Sequence, residues 1–141
     1  VGSEMCIRDR YINGGKQMTD VWHLPAIAPW EKSCGKHPTQ KPLALLSRII
    51  MASTQQGDWV LDPFCGSSTT GIASNLLGRR FLGIDQEQNY IEISRNRREE
   101  LENPQLYQKY RSKIKDIQLL DSLFPSMVKE DANTMYGDLP F

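Results

Sequence analysis

Residues 57–71 have the sequence GDWVLDPFCGSSTTG, and the prediction of the fold rests mainly on this stretch. A turn pair precedes three large apolar residues at 59–61, a pattern that indicates a short buried strand. Small hydroxyl residues at 67–68 suit a helix N-terminus, and a helical apolar face follows at 72–77. The succession of strand, glycine-containing loop and helix predicts an α/β fold. In open α/β sheets, such a loop brings backbone N–H groups to ligands at the carboxyl ends of strands.

The loop DPFCGSSTTG at 62–71 resembles the cofactor loop of S-adenosylmethionine-dependent DNA methyltransferases that methylate amino groups. That family has Asp-Pro-Phe-x-Gly-Ser-Gly-Thr-Thr there, so Ser68 replaces the second glycine and Cys65 fills the free position. Because serine resists the positive φ angles that glycine accepts, this replacement bears on the shape of the loop. A phosphate-binding loop is the competing interpretation, and it fails because no Gly-Lys-Ser/Thr follows.

A second motif, KHPTQKP at 36–42, precedes the loop. Pro42 suits a first helical turn, and the apolar stripe after it predicts a helix over about 43–53. By itself the motif is better explained by a proline-rich turn that caps this helix. HPTQKP is, however, similar to the motif that holds the methionine end of the cofactor in these methyltransferases, and both motifs occur in the family's order. The helix N-terminus beside Thr39 and Lys41 is then expected to receive the cofactor carboxylate.

A second apolar strand is predicted at 81–84, and Asp85 follows it. Asp85 lies 23 residues after Asp62, close to the roughly 20 residues at which nucleotide-binding α/β units place a ribose-binding acid. A solvated acid at a strand end is the alternative. Together with the upstream motifs, the spacing predicts that Asp85 accepts hydrogen bonds from the ribose hydroxyls, with Gln86 beside the ribose or adenine.

The resemblance implies that the cofactor-binding residues lie in three stretches of the chain. They are His37, Pro38, Thr39, Gln40 and Lys41 in the first motif, Asp62, Phe64, Gly66, Ser67, Ser68 and Thr69 in the loop, and Asp85 and Gln86 after the second strand. No catalytic residue is predicted, because the chain lacks the Asp/Asn/Ser-Pro-Pro-Tyr/Phe tetrad that holds the target amine in this family. DLPF at 138–141 is interpreted as a chance echo, and the permuted family order places the tetrad upstream of Tyr11.

The resemblance covers about residues 19–101 and implies part of a Rossmann-like methyltransferase fold, a fragment of a mainly parallel sheet with flanking helices. At full length we expect a DNA methyltransferase of the restriction-modification kind, which flips the target base out of the duplex and methylates adenine N6. Cytosine-N4 methylation and a non-catalytic cofactor-binding module are the alternatives, whereas methylation of RNA or small molecules fits HPTQKP poorly. The missing N-terminal half would contact double-stranded DNA, and a homodimer is compatible with the sequence.

Composition bounds the class of protein. The chain has 141 residues, a net charge of 0 and 39% hydrophobic residues, which fit at most one soluble domain. No apolar run approaches the ~20 residues of a membrane span, and the cysteines are three and widely spread. We therefore expect reduced thiols in a cytoplasmic protein of a prokaryote or phage, with no membrane partner.

A zinc site is a weaker interpretation of the cysteines and histidines. Cys34 and His37 are three residues apart, and His23 and Cys65 would have to complete the ligand set. Structural zinc sites usually contain two tight ligand pairs, of which the chain has one, so we predict no metal. His37 is likewise not predicted to be a general base, since its motif gives it a structural role beside the cofactor.

The N-terminal part of the chain carries two further predictions. Residues 1–10 resemble translated adapter read-through and are interpreted as non-native rather than as an ordinary disordered terminus. Residues 11–101 would then form the cofactor-binding part, with a weak strand near Val21.

The C-terminal part is predicted to be helical. A helix over 87–101 carries three arginines interleaved with glutamates, which favours a solvated helix face over a DNA-binding patch. The arginines are Arg95, Arg97 and Arg98. Residues 102–141 are expected to be a helical, partly disordered extension, in which one helix begins at the Asn-Pro pair 103–104 and the tail 124–141 is loose.

Overall fold

The computed structural model describes residue 16, residues 18–35 and residues 37–123. In these residues a short 3-10 helix at Pro29–Lys32 precedes five α-helices and two strands. The helices are α1 Leu43–Ser53, α2 Thr69–Leu76, α3 Gln88–Glu102, α4 Pro104–Arg111 and α5 Lys115–Leu123, and the strands are β1 Trp59–Asp62 and β2 Arg80–Gly83. The predictions for residues 1–10 and 124–141, including the DLPF echo, lie outside the described residues.

The centre of the fold is a β1–α2–β2 unit, as the sequence pattern predicts. β1 and β2 pair in parallel, with Leu61 opposite Leu82 and Asp62 opposite Gly83. The ladder continues past β2, since the N–H of Ile84 donates to the carbonyl of Asp62 at 2.9 Å. Because parallel strands place their carboxyl ends at the same edge, the residues after β1 and after β2 lie side by side. The α/β class and the parallel sheet are confirmed.

The hydrophobic core lies around α2, which packs against both strands and against α1. Its buried residues come from all five helices and the turns beside them: Leu43, Ile50, Met51, Ile72, Ala73, Leu76, Leu77, Leu101, Tyr110, Ile114 and Ile117. Full burial of a large apolar side chain stabilises a fold by about 1.5–3 kcal/mol, so this cluster is the main source of stability. α1 has the predicted bounds, and the residues of its apolar stripe, such as Leu43 and Ile50, face this core.

The other face of the sheet is exposed. Trp59 is 65% exposed, Leu61 62% and Leu82 53%. Val60 and Phe81 are partly buried, because successive residues of a strand point to opposite faces and these two point toward α2. The prediction of a buried β1 is therefore wrong for one of its two faces, which the described residues leave uncovered.

The N-terminal segment that the structure describes contains no strand. Residues 18–28 run without strand pairing, so the weak strand predicted near Val21 is not formed, and Val21 itself is exposed. Trp22 turns back locally and donates its Nε1–H to the carbonyl of Thr19 at 2.6 Å. None of the described helices is both long and apolar enough to cross a membrane.

The C-terminal helix begins as predicted but is interrupted. Asn103 caps it, since its side-chain oxygen accepts the N–H groups of Gln105 and Leu106. The sequence predicts one continuous helix, whereas the structure ends α4 at Arg111 and starts α5 after a turn. The buried Arg111 guanidinium forms an ion pair with Asp121 of α5, which ties α5 to the end of α4, and α5 itself packs against α1.

Candidate functional site

The loop after β1 is held at its base by Asp62. One oxygen of this carboxylate accepts the N–H of Phe64 at 3.1 Å, and the other accepts the hydroxyl of Thr70 at 2.7 Å. Asp62 thus ties the end of the strand to the loop and to the first turn of α2, which is an orienting role. The side chain of Phe64 is 83% exposed and projects from the loop.

Two residues of the loop have left-handed backbone. Gly66 has φ 51°, and Ser68 has φ 58° and ψ 38°. The N–H of Ser68 donates to the carbonyl of Cys65 at 2.7 Å, which closes a turn just before α2. Serine therefore takes a conformation that glycine would accept freely, at a cost of about 1–2 kcal/mol. Such backbone persists only where neighbouring contacts over-determine it.

Arg97 of α3 supplies contacts on both sides of Ser68. Its Nη1 donates to the carbonyl of Ser67 at 2.6 Å and lies 3.2 Å from Oγ1 of Thr69, a second hydrogen bond. The side chain is only 2% exposed, and burial lowers the pKa of its guanidinium. The helix α3 therefore contacts the loop through the buried, positively charged side chain of Arg97.

The three arginines of α3 do not share the predicted solvated face. Arg95 and Arg98 are exposed, as predicted, but the prediction is wrong for Arg97. Arg97 lies four residues before the buried Leu101, so both fall on the face of α3 that packs inward. The four-residue spacing to Leu101 is the sequence signal for this inward position, and the interleaved charges of α3 obscure it.

His37 brings the first motif against the loop. A Cβ on Gly66 would lie 2.9 Å from Nε2 of His37, so a side chain there would force the imidazole to move, and the positive φ of Gly66 also favours glycine. The His37 ring packs against the ring of Tyr90 on α3, with centroids 4.2 Å apart and planes tilted by 59°. Its Nδ1 accepts the N–H of Thr39 at 3.3 Å. Tyr90 is absent from the predicted set, although the sequence places it on the inner face of its helix.

Asp85 joins the loop from the end of β2. One carboxylate oxygen accepts the N–H of Gly66 at 2.8 Å, and the other accepts the N–H of Glu87 at 2.9 Å. These backbone donors, Glu87 first and Gly66 second, lower the pKa of Asp85, so its carboxylate is charged at neutral pH. Each oxygen retains a lone pair for another donor such as a ribose hydroxyl. Three stretches distant in sequence therefore meet around Gly66, and His37, Gly66 and Asp85 form the candidate site.

The N-terminus of α1 is already occupied by a carboxylate of the chain itself. Glu31, which is 6% exposed, accepts the N–H of Leu43 at 2.8 Å and the N–H of Ala28 at 3.1 Å. Gln40 is buried next to it and donates to the carbonyl of Glu31 at 2.9 Å. A carboxylate of the chain itself thus satisfies one N–H donor of this helix N-terminus, and the placement of the cofactor carboxylate there stays a prediction.

Four of the predicted residues lie exposed at the surface near the site: Pro38, Thr39, Lys41 and Gln86. The Lys41 ammonium donates to the carbonyl of Thr39 at 3.0 Å, so it is folded onto its own motif. Within the described part of the chain, no three His, Cys, Asp or Glu side chains group closely enough to hold a metal ion. Burial, followed by the neighbouring Asp85 and Asp62, raises the pKa of Cys65, so this thiol is protonated at neutral pH.

Comparison with known proteins identifies the family. The N6/N4 family model described as DNA methylase matches residues 6–96. The chain belongs to the DNA methylase family. The match begins inside the segment 1–10 and ends before α4, and it includes β1, β2 and all three residues of the candidate site.

This methylase chain is similar to curated Type II methyltransferases. It is 55% identical over 104 residues to M2.MboI of Moraxella bovis, and the aligned region covers 74% of this chain and 38% of the relative. It is 58% identical over 88 residues to M2.DpnII of Streptococcus pneumoniae, and the aligned region covers 62% of this chain and 33% of the relative. The methylase chain therefore spans well under half the length of these relatives.

A solved structure shares the fold of this methylase chain. The crystal structure of the M1.HpyAVI–SAM complex superposes with a TM-score of 0.51 at 42% sequence identity, over 58% of this chain and 41% of that one. The parallel β1–α2–β2 unit with its flanking helices is thus part of a Rossmann-like methyltransferase fold.

Proposed function

We propose that the residues around Gly66 bind S-adenosylmethionine, and that this chain is the cofactor-binding part of a DNA amino-methyltransferase. The observation that carries the proposal is the convergence of His37, Gly66 and Asp85 at the carboxyl edge of a parallel sheet in a DNA methylase chain. Ligands of open α/β sheets bind at this edge. The structural similarity to M1.HpyAVI, whose crystal structure is of a SAM complex, supports the proposal.

The site residues would divide the work of holding the cofactor. Asp85 accepts hydrogen bonds from the ribose hydroxyls, and Gln86 lies beside it. Gly66 lets the loop backbone approach the cofactor closely, with Ser67, Ser68 and Thr69 forming the rest of the turn. When bound, S-adenosylmethionine supplies an electrophilic methyl group, and the residues of this chain bind and orient it.

The remaining predicted residues have supporting parts in this proposal. Asp62 orients the loop through Phe64 and Thr70, and Gln40 stabilises the first motif through Glu31. The exposed residues of the first motif and Phe64 line the outer rim: Pro38, Thr39, Lys41 and Phe64. His37 is proposed to pack beside the cofactor rather than to move a proton.

The proposed substrate of the whole enzyme is adenine in double-stranded DNA, methylated at N6. The Type II methyltransferases among the relatives support a DNA substrate. This chain matches 38% of the length of M2.MboI. We propose that the residues that hold the target amine lie in the part of the enzyme that corresponds to the rest of that length. Expression of the complete reading frame, followed by nucleoside analysis of the methylated DNA, separates N6-methyladenine from the alternative N4-methylcytosine.

Isothermal titration of the 141-residue chain with S-adenosylmethionine tests the cofactor proposal. We expect saturable one-to-one binding, because the chain contains all three stretches that converge on Gly66. ATP is the control ligand, since it carries the adenosine but not the methionine part and should bind far more weakly. Absence of saturable binding by S-adenosylmethionine, with the chain shown to be folded, would overturn the proposal.

A further inference from the structure

Arg97 reaches from α3 to the centre of the cofactor loop. Besides its hydrogen bonds to the carbonyl of Ser67 and to Thr69, its Nη1 lies 3.4 Å from Oγ of Ser67. These partners stand immediately before and immediately after Ser68, whose backbone is left-handed. The other side-chain contacts that the structure gives this loop act elsewhere, since Asp85 and Ser94 hold Gly66. Asp62 holds Phe64 and Thr70.

A cation at this position is unfavourable for the fold itself. Nε and Nη2 of Arg97 are buried and have no hydrogen-bond partner among the residues that the structure describes. Buried donors without partners destabilise a protein, and an unbranched apolar side chain would pack beside Leu101 without that cost. The hydrogen bonds of Nη1 are therefore the contacts that explain why an arginine is present.

We propose that Arg97 is a positioning residue for the cofactor site, which holds the left-handed turn at Ser68 and thereby maintains the loop in its binding shape. The inference rests on the proposed binding of S-adenosylmethionine to this loop. A serine in left-handed backbone reverts to more common conformations unless its neighbours are fixed, and Arg97 fixes both of them. In a loop with glycine at 68, the same turn would form without help.

The first experiment compares two buried arginines by titration with S-adenosylmethionine. Arg97→Met removes the hydrogen bonds to the loop, and we expect affinity to fall about tenfold, the effect of losing a charged hydrogen bond. Arg111→Met is the matched control, because Arg111 is also buried but bonds to Leu76, Tyr107 and Asp121, away from the site. The control should lower the thermal melting temperature while its affinity stays within about twofold of the parent.

The second experiment tests the link to Ser68 with a double-mutant cycle. Ser68→Gly relieves the left-handed strain, so in the Arg97→Met background it should restore most of the lost affinity. Arg97→Lys, which keeps the positive charge on a single donor nitrogen, is the more conservative variant and should lose less affinity than Arg97→Met. Labelling of Cys65 with iodoacetamide, mapped by mass spectrometry, should quicken in Arg97→Met and slow again when Ser68→Gly is added.

The outcomes separate the positioning role from the cofactor proposal. If the parent does not bind S-adenosylmethionine, the cofactor proposal fails and the role of Arg97 with it. If the parent binds S-adenosylmethionine but Arg97→Met and Arg97→Lys both bind it as tightly as the parent, the positioning role alone is overturned. It is also overturned if Arg111→Met loses as much affinity as Arg97→Met, or if Ser68→Gly gives no recovery.

Discussion

At the scale of single residues, the absence of a side chain at Gly66 is what allows His37 to close over the loop. We predict that Gly66→Val abolishes measurable binding of S-adenosylmethionine in titration, because the valine would displace the imidazole 2.9 Å from its Cβ. Gly57→Val is the matched control. Gly57 also has a positive φ, 83°, but a Cβ there meets nothing within 4 Å, so this variant should lose stability and keep its affinity.

Asp85 is the second residue whose substitution should directly lower the affinity for S-adenosylmethionine. Asp85→Ala is expected to weaken binding of S-adenosylmethionine by about tenfold or more, because the ribose loses a charged acceptor and Gly66 loses its partner. Asp58→Ala makes the same change at the start of β1, where the carboxylate accepts the N–H of Gln55 at 2.7 Å. Equal affinities for both variants and the parent would contradict the assignment of Asp85 to the site.

At the scale of elements, the N-terminus of α1 is capped by Glu31 from within the chain. We predict that Glu31→Ala lowers the free energy of unfolding by about 1–3 kcal/mol in urea denaturation, because it leaves the N–H groups of Leu43 and Ala28 without a protein acceptor. Glu99→Ala, an exposed change on α3, should have little effect. Tighter binding of S-adenosylmethionine by Glu31→Ala would instead show that the cofactor carboxylate competes for the same helix N-terminus.

The elements that sequence patterns predicted are those with one dominant physical cause. α1 follows from Pro42 and its apolar stripe, and the β1–α2–β2 unit follows from apolar runs punctuated by turn residues. Asp62 ends β1 and Asp85 follows β2, positions that the apolar runs mark in the sequence. The buried charges of Glu31 and Arg97 were not predicted, since charged residues are rarely buried and only tertiary packing reveals their partners.

The same limit applies to the break between α4 and α5. Apolar residues recur at helical spacing through 106–120, so the sequence gives no signal for an interruption. The ion pair between Arg111 and Asp121 joins residues that a continuous helix would keep apart. Long-range pairing of this kind is visible only in the folded chain.

At the scale of the whole molecule, the described residues leave one apolar face of the sheet uncovered, and we expect this face to promote aggregation. We predict that Leu61→Thr combined with Leu82→Thr raises the concentration at which light scattering first detects aggregates, because both residues are exposed on this apolar face. Leu119→Thr, on an exposed position of α5, is the control and should change this concentration little. Threonine preserves strand propensity, so the double variant should retain cofactor affinity.

The chain by itself is also predicted not to methylate DNA. It contains the proposed cofactor site but no Pro-Pro-Tyr/Phe tetrad to hold a target amine. In an assay with S-adenosylmethionine tritiated at the methyl group, we expect no label in double-stranded DNA above a no-protein control, while the complete reading frame transfers label. Robust transfer by the 141-residue chain would show that another set of residues holds the base.

Photochemical cross-linking with methyl-tritiated S-adenosylmethionine tests the central claim most directly, because it reports where the cofactor lies. After ultraviolet irradiation of the 141-residue chain and proteolysis, we expect label in peptides that contain residues 62–69 or 85–90, and loss of that label with excess unlabelled cofactor. Label confined to α4 and α5, or none that unlabelled cofactor displaces, would contradict a site formed by His37, Gly66 and Asp85.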